Sequence, residues 1–322
     1  MRKIGIFALF IFSFLVFAGN GFIKIPVITD VGALIANSGR PISFAGRFTL
    51  DTYGNMYIQD MDIGNIAKFT PAGRYVKDLL QIGTGRKEIS SLKDFYIFGE
   101  QLYVIDNSFK GVKVYDLDGN FLFAFKTQDV PYSIAVSQTG EIYVPDYSKK
   151  NRKIISVYSP QGKFVRSFGD PFYDTRFMDK KKNMYLNRTL TIKLSPRDEV
   201  YVLSHLIPSI RKYSPTRLLM FERKIEGKEV SPGAIDIYED TVSIINSAVD
   251  LGVDEEGYFM VSLSSTCAYL FSPEGALIGK VGVEMEGYIQ SPQKFSLVKD
   301  KIASVMGDKI YLLNYGAIKG KL

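Results

Sequence analysis

Three features of the chain predict an all-β fold, a six-bladed β-propeller of four-stranded antiparallel blades. A strand pentapeptide of the form Gly-x-Ile-Tyr-Val recurs six times. Each copy follows a short apolar run, and in the first five units it precedes a strand, a turn and another strand. The last unit is thin where an outer strand should be, while an apolar segment near the N-terminus has nothing local to pair with.

Strand b carries the pentapeptide: GNMYI at 54–58, EQLYV at 100–104, GEIYV at 140–144, DEVYV at 198–202, EGYFM at 256–260 and DKIAS at 300–304. The copies start 46, 40, 58, 58 and 44 residues apart, the spacing of radially repeated four-stranded units. Strand a precedes each copy as FTLD at 48–51, FYIF at 95–98, IAVS at 134–137, IKLS at 192–195, LGVD at 251–254 and FSLV at 295–298. Strands c and d follow as IAKFTPAGRYVKDL from Ile66, VKVYDLDGNFLFAF from Val112, ISVYSPQGKFVRSF from Ile155, IRKYSPTRLLMFER from Ile210 and AYLFSPEGALIGKV from Ala268. Only the fourth turn lacks the Gly, with Thr216-Arg217 in its place. A four-stranded meander alone would leave an apolar face in water, so each unit is expected to pack against its two neighbours.

Closure follows from the ends. After KIASV at 301–305 and KIYLL at 309–313 the last unit has only AIKGKL, whereas FIKIPVIT at 22–29 stands ahead of the first complete unit. Residues 22–29 are therefore expected to form the outermost strand of the sixth blade and to close the ring.

The pattern apolar-x-V-x-x-x-G-x-I-Y-V-x-D, then I-x-V-Y-x-P-x-G-x-F-V-x-x-F-G, resembles the NHL repeat of six-bladed propellers. The likeness is strongest at 134–169 and 48–83 and fades in the last three units, where the Asp after strand b (Asp60, Asp106, Asp146) becomes Ser204 and Ser262. It covers nearly the whole chain after the leader and implies a fold far better than an activity. In NHL-like units that Asp is expected to tie down the b–c loop through side-chain to backbone hydrogen bonds.

Arg2 and Lys3, an uncharged apolar run from Ile4 to Phe17, and small residues around Ala18 describe a secretory signal over residues 1–18. The run is shorter than the ~20 residues a spanning helix needs. Export to a periplasm, cell surface or medium is the expectation, with residues 22–322 forming one monomeric propeller. Cys267 is the only cysteine, so core burial rather than disulfides must hold the fold. The net charge of +6 favours anionic surfaces without specifying one.

In an a-b-c-d meander the a–b and c–d turns share one face, and here they are short and Gly-rich. The b–c and d–a connections share the other face and include the two insertions, 170–190 and 227–250. Binding is expected there. A basic cluster falls on that face: Lys149, Lys150, Arg152 and Lys153, then Arg176, Lys180, Lys181, Lys182 and Arg188, with Phe172, Tyr173, Phe177 and Tyr185 interleaved. The channel mouth is expected to be ringed by Gly46, Lys93, Tyr132, Leu190, Val249 and Gln293, of which Lys93, Tyr132 and Gln293 are suited to touch a ligand.

The favoured function is a non-catalytic scaffold presenting this face to a protein, peptide or anionic polymer, with no cofactor. The alternative is a calcium-dependent hydrolase or lactonase holding its metal with Asp60, Asp106 and Asp146. Zinc lyases on NHL-like rings need several histidines, and His205 is the only one. A Ser/His/Asp triad would have to use it, and no G-x-S-x-G elbow accompanies it. His205 is expected at the surface of the binding face, Cys267 as a small buried hydrophobe, and Tyr57, Tyr103, Tyr143 and Tyr201 as core aromatics between blades.

Overall fold

The repeated Asp or Ser at the head of each turn folds the chain back on itself through hydrogen bonds to residues two and four positions on. Asp51 Oδ1 accepts from the backbone N–H of Tyr53 and Asn55, both at 2.9 Å, and Asp116 and Asp254 repeat the pattern. Gly119 follows at φ 79°, and a Cβ there would lie 2.1 Å from Leu79 O, so only glycine fits. Arg217, which replaces this glycine in the fourth unit, adopts φ 70°. Its Nη2 reaches back to Glu141 Oε2 at 2.8 Å, so the strained turn also ties the fourth blade to the third.

The computed structural model describes residues 22–147, 152–226, 230, 233–238, 241–263, 267–285 and 288–320. These turns produce six antiparallel blades. Blade 1 holds Ala45–Leu50, Met56–Asp60, Asn65–Phe69 and Tyr75–Asp78; blade 2 holds Leu92–Phe98, Gln101–Asp106, Gly111–Asp116 and Phe121–Lys126. Blade 3 holds Ala135–Val136, Ile142–Pro145, Ile155–Tyr158 and Phe164–Phe168; blade 4 holds Leu190–Leu194, Val200–Ser204, Ser209–Tyr213 and Leu219–Lys224. Blade 5 is built on Ala248–Val253, Phe259–Leu263, Ala268–Phe271 and Leu277–Met285, and blade 6 on Lys294–Val298, Lys301–Met306 and Lys309–Asn314.

The N-terminal segment closes the ring, but not as one strand. Ile23–Lys24 runs parallel to Val281 and Gly282 at the edge of blade 5, and Val27–Asp30 pairs antiparallel with Tyr311, Leu312 and Leu313 as the outer strand of blade 6. The break falls at Pro26, which has no N–H to continue a ladder but whose carbonyl accepts from Asn314 N at 2.8 Å. One segment thus clamps two blades at the seam.

Six apolar clusters fill the spaces between blades. Tyr57 and Ile66 of blade 1 share a cluster with Phe95, Leu102 and Val104 of blade 2, and Phe48 and Ile58 share another with Ala303, Val305 and Ile310 of blade 6. Tyr57, Tyr103, Tyr143 and Tyr201 are all buried and place their hydroxyls on Asp51, Gln101, Glu141 and the Gly257 carbonyl at 2.6–3.1 Å. Cys267 is buried in the cluster between blades 4 and 5. The first insertion forms a 3-10 turn, Thr175–Phe177, and a helix, Lys180–Leu186; the second forms a hairpin of Ala234–Tyr238 and Thr241–Ile245.

Deleting residues 22–29 removes the clamp and exposes the edges of blades 5 and 6. The expected outcome is loss of the cooperative thermal transition, measured by circular dichroism against the chain beginning at residue 22.

Candidate functional site: the channel mouth and its rim

The strands a gather around the axis, and the residue ahead of each buried apolar anchor decides what the channel contains. Arg47, Asp94, Thr191, Asp250 and Lys294 line it from five blades. Ser133, at the same position in blade 3, turns sideways instead: its Oγ donates to Leu190 O at 3.0 Å and accepts from Ile192 N at 2.9 Å, stitching blade 3 to blade 4.

Arg47 spans the channel. Its Nε lies 2.5 Å from Asp94 Oδ1 and its Nη2 3.2 Å from Asp94 Oδ2, while Nη1 reaches Asp250 Oδ2 at 3.4 Å. Asp250 Oδ2 also accepts from Phe295 N at 3.0 Å, so one buried carboxylate joins blades 1, 5 and 6. Burial by itself lowers the Arg47 pKa, but the two carboxylates outweigh it and hold the guanidinium above its ordinary value.

Above this lock, on the face of the b–c and d–a connections, lies a cavity of ≈ 200 Å³ lined in part by Gly46, Gln59, Lys93, Tyr132, Val249 and Lys294. Four of the six expected mouth residues are there. Leu190 is not; it is fully buried in the core between blades 3 and 4, and Thr191 takes its place. Gln293 also lies outside this lining, exposed, with Oε1 accepting from Gly307 N at 3.4 Å, and Lys294 stands in the mouth instead. Both differences are shifts of one residue in register.

Lys93 Nζ sits 4.9 Å from the centroid of the Tyr132 ring. Burial lowers its pKa, opposed by the Asp94 and Asp129 charges. The other neighbour of Tyr132 is His205, at 4.7 Å between ring centroids. His205 is not on the surface as expected but completely buried. Its Nδ1 donates to Ala248 O at 2.7 Å, leaving Nε2 to accept from the Thr191 hydroxyl at 2.8 Å. Burial drives its pKa down to about 4, so the ring is a neutral strut between blades 4 and 5.

The three carboxylates of the calcium alternative are engaged within their own blades. Asp60 accepts from the N–H of Asp62 and Ile63 through Oδ1 and from Arg40 Nη1 at 2.8 Å through Oδ2. Asp106 accepts from the N–H of Ser108 and Phe109 and pairs with Lys113 Nζ at 3.0 Å. Asp146 Oδ2 accepts from Ser156 Oγ at 2.9 Å, and burial pushes its pKa up. No group of three or more His, Cys, Asp or Glu among the described residues is placed to hold a metal. These residues do not fit calcium.

At the rim, Lys149 and Lys150 lie outside the described residues. Arg152 is exposed, with φ 48°. Lys153 pairs with Asp170 at 2.7 Å, Arg176 grips Asp174 through two nitrogens at 2.9 and 3.0 Å, and Arg188 pairs with Asp129. Phe172 is corrected from partner contact to core: it is buried, with the Arg211 guanidinium 3.8 Å from its ring centroid. Phe177 is buried and Tyr185 half-buried against the same core, whereas Tyr173 is 66% exposed. Lys180, Lys181 and Lys182 form the first turn of the helix, capped by Asp179 Oδ1 on the N–H of Lys181 and Lys182. They make no ion pair among the described residues.

No family model and no curated protein matches the chain. Solved structures match it in fold. Virginiamycin B lyase from Staphylococcus aureus superimposes with a TM-score of 0.53 at 12% identity, over 86% of this chain and 97% of that one. A gluconolactonase from Xanthomonas campestris gives 0.53 at 13% identity over 90% and 94%. A candidate exported protein from Bacteroides fragilis gives 0.51 at 10% over 90% and 92%. At these identities the likeness establishes the propeller and carries nothing about chemistry.

Two predictions follow from the buried groups. Arg47→Met strands two carboxylates in the channel and is expected to cost about 3 kcal/mol or more in urea unfolding. His205 stays unprotonated in the fold down to about pH 4, while the unfolded chain takes up its proton near 6.5. Its contribution is therefore complete above pH 6.5 and declines as the pH falls towards 4, by about 1.4 kcal/mol per pH unit. His205→Gln is expected to flatten that part of the stability profile.

Proposed function

We propose that this protein is an exported, non-catalytic binding scaffold of NHL-like repeats that presents its b–c and d–a face to an acidic protein, peptide or polymer. The observation that carries the reading is the contrast within the rim. Lys153, Arg176 and Arg188 are neutralised by neighbouring aspartates, whereas Lys180, Lys181 and Lys182 stand together with no acid paired to them among the described residues. Exposed Tyr173 and Met178 flank this turn, supplying apolar contact beside the charge. Such a mixed patch on a rigid ring suits an extended anionic partner.

Export is supported by the leader-like sequence of residues 1–18, which lie outside the described residues. No helix among those described is long and apolar enough to cross a membrane. A calcium-dependent hydrolase has the gluconolactonase likeness behind it, but the carboxylates it would need are held by Arg40, Lys113 and Ser156.

Replacing Lys180, Lys181 and Lys182 together by Glu is expected to lower the salt concentration at which the protein elutes from immobilised dextran sulfate, with the melting temperature unchanged. An unshifted elution would remove the rim from consideration. Under the hydrolase reading, millimolar calcium would raise the melting temperature through binding to the native state; no rise is expected here.

A further inference from the structure

Below the Arg47 lock the channel opens into a second cavity of ≈ 210 Å³ with a different lining. Its polar groups come from the residue that follows each strand-a anchor: Thr49, Tyr96, Lys193 and Ser296, with Arg47 shared between the two cavities. No Asp or Glu lines it. The Lys193 ammonium is 5.7 Å from the Tyr96 ring centroid and makes no hydrogen bond or ion pair to a described residue. The hydroxyls of Thr49, Tyr96 and Ser296 likewise have no hydrogen-bond partner among the described residues.

Farther down, Leu50, Ile97, Leu194, Val253 and Leu297 line both this cavity and a wider lower mouth of ≈ 360 Å³ among the a–b turns. From the turn face the channel therefore runs through an apolar collar to hydrogen-bond donors at its inner end; outside the collar the lower mouth also carries Asp51, Asp254, Glu255 and Lys299. From the other face the way is barred by Arg47 on Asp94 and Asp250.

We propose that this inner cavity binds a small carboxylate with a short apolar chain, its head on Lys193, Tyr96 and Arg47 and its chain in the leucine and valine collar, and that the ligand arrives from the a–b turn face. A concave apolar pocket with a few converging polar groups is the usual form of a small-molecule site. Charge-assisted hydrogen bonds gain strength where water is excluded. Burial, with Arg47 adding to it and Asp250 and Asp94 opposing it, disfavours the charged form of Lys193, and a seated anion relieves that penalty. Burial also pushes the Tyr96 pKa up to about 12, which keeps its hydroxyl a donor. The site is on the opposite face from the rim patch and stands or falls independently of it.

Calorimetric titration of the full chain with hexanoate, with 1-hexanol as the uncharged counterpart, tests the proposal. Saturable binding of hexanoate and none of hexanol is expected. Lys193→Met replaces a desolvated ammonium by an apolar chain of similar length, so the fold is retained, and hexanoate affinity is expected to fall by about tenfold or more. Tyr96→Phe provides a second, milder loss. Lys299→Glu, which alters the lower mouth and not the inner cavity, is expected to weaken binding, and Lys294→Glu in the upper mouth to leave it unchanged. Failure of hexanoate to bind, equal binding of hexanol, or wild-type affinity in Lys193→Met would overturn the site. Loss in Lys294→Glu but not in Lys299→Glu would overturn the direction of access.

Discussion

Apolar burial between neighbouring blades is the interaction on which the rest of this protein depends. Each of the six core clusters draws its residues from two adjacent blades, so no blade holds a complete core of its own. A buried Phe or Tyr contributes on the order of 1.5–3 kcal/mol only when both its faces are covered. Coverage of all six interfaces requires a closed ring, and a closed ring requires a seam. The segment that splits at Pro26 between blades 5 and 6 supplies it.

Closure also creates the chemistry of the axis. Strands a converge there, and the residues flanking their apolar anchors meet across the channel. Opposite charges must then pair, as Arg47 does with Asp94 and Asp250, or be left exposed to any anion that fits, as with Lys193. The two faces of the ring are free to diverge because they answer to different constraints. The Asp and Ser turns fix one face by local hydrogen bonding, while the other accommodates a helix and a hairpin without disturbing the blades.

What could be read from the chain was whatever repeats. The pentapeptide, the turn residues and the stacking tyrosines recur at a period, and each copy supports the others; the Asp tie on the b–c loop was legible for the same reason. Pro26 was legible in principle, since a residue without an N–H interrupts a ladder. The burial of His205 was not, because its partners, the Thr191 hydroxyl and the Ala248 carbonyl, come from separate strands on two blades. The axis escaped notice for a related reason. Arg47 lies 47 residues from Asp94 and 203 from Asp250, and only ring geometry brings the three together. A faint signal existed in the charged residue directly ahead of the apolar anchor at Arg47, Asp94, Asp250 and Lys294. Phe172 misled because an aromatic in a loop that goes on to Arg176 and three lysines looks like a contact residue until the ring is assembled and Arg211 is found lying on it.

The seam sets an order of events. Val27–Asp30 leaves the ribosome ahead of all six blades, and the strand it completes, Lys309–Asn314, only after the other five. The circle is therefore left open until the third strand of blade 6 has been made, with an unpaired edge waiting on a segment that precedes every blade. Such a long wait slows completion, because the contact that closes the circle joins the segments farthest apart in sequence.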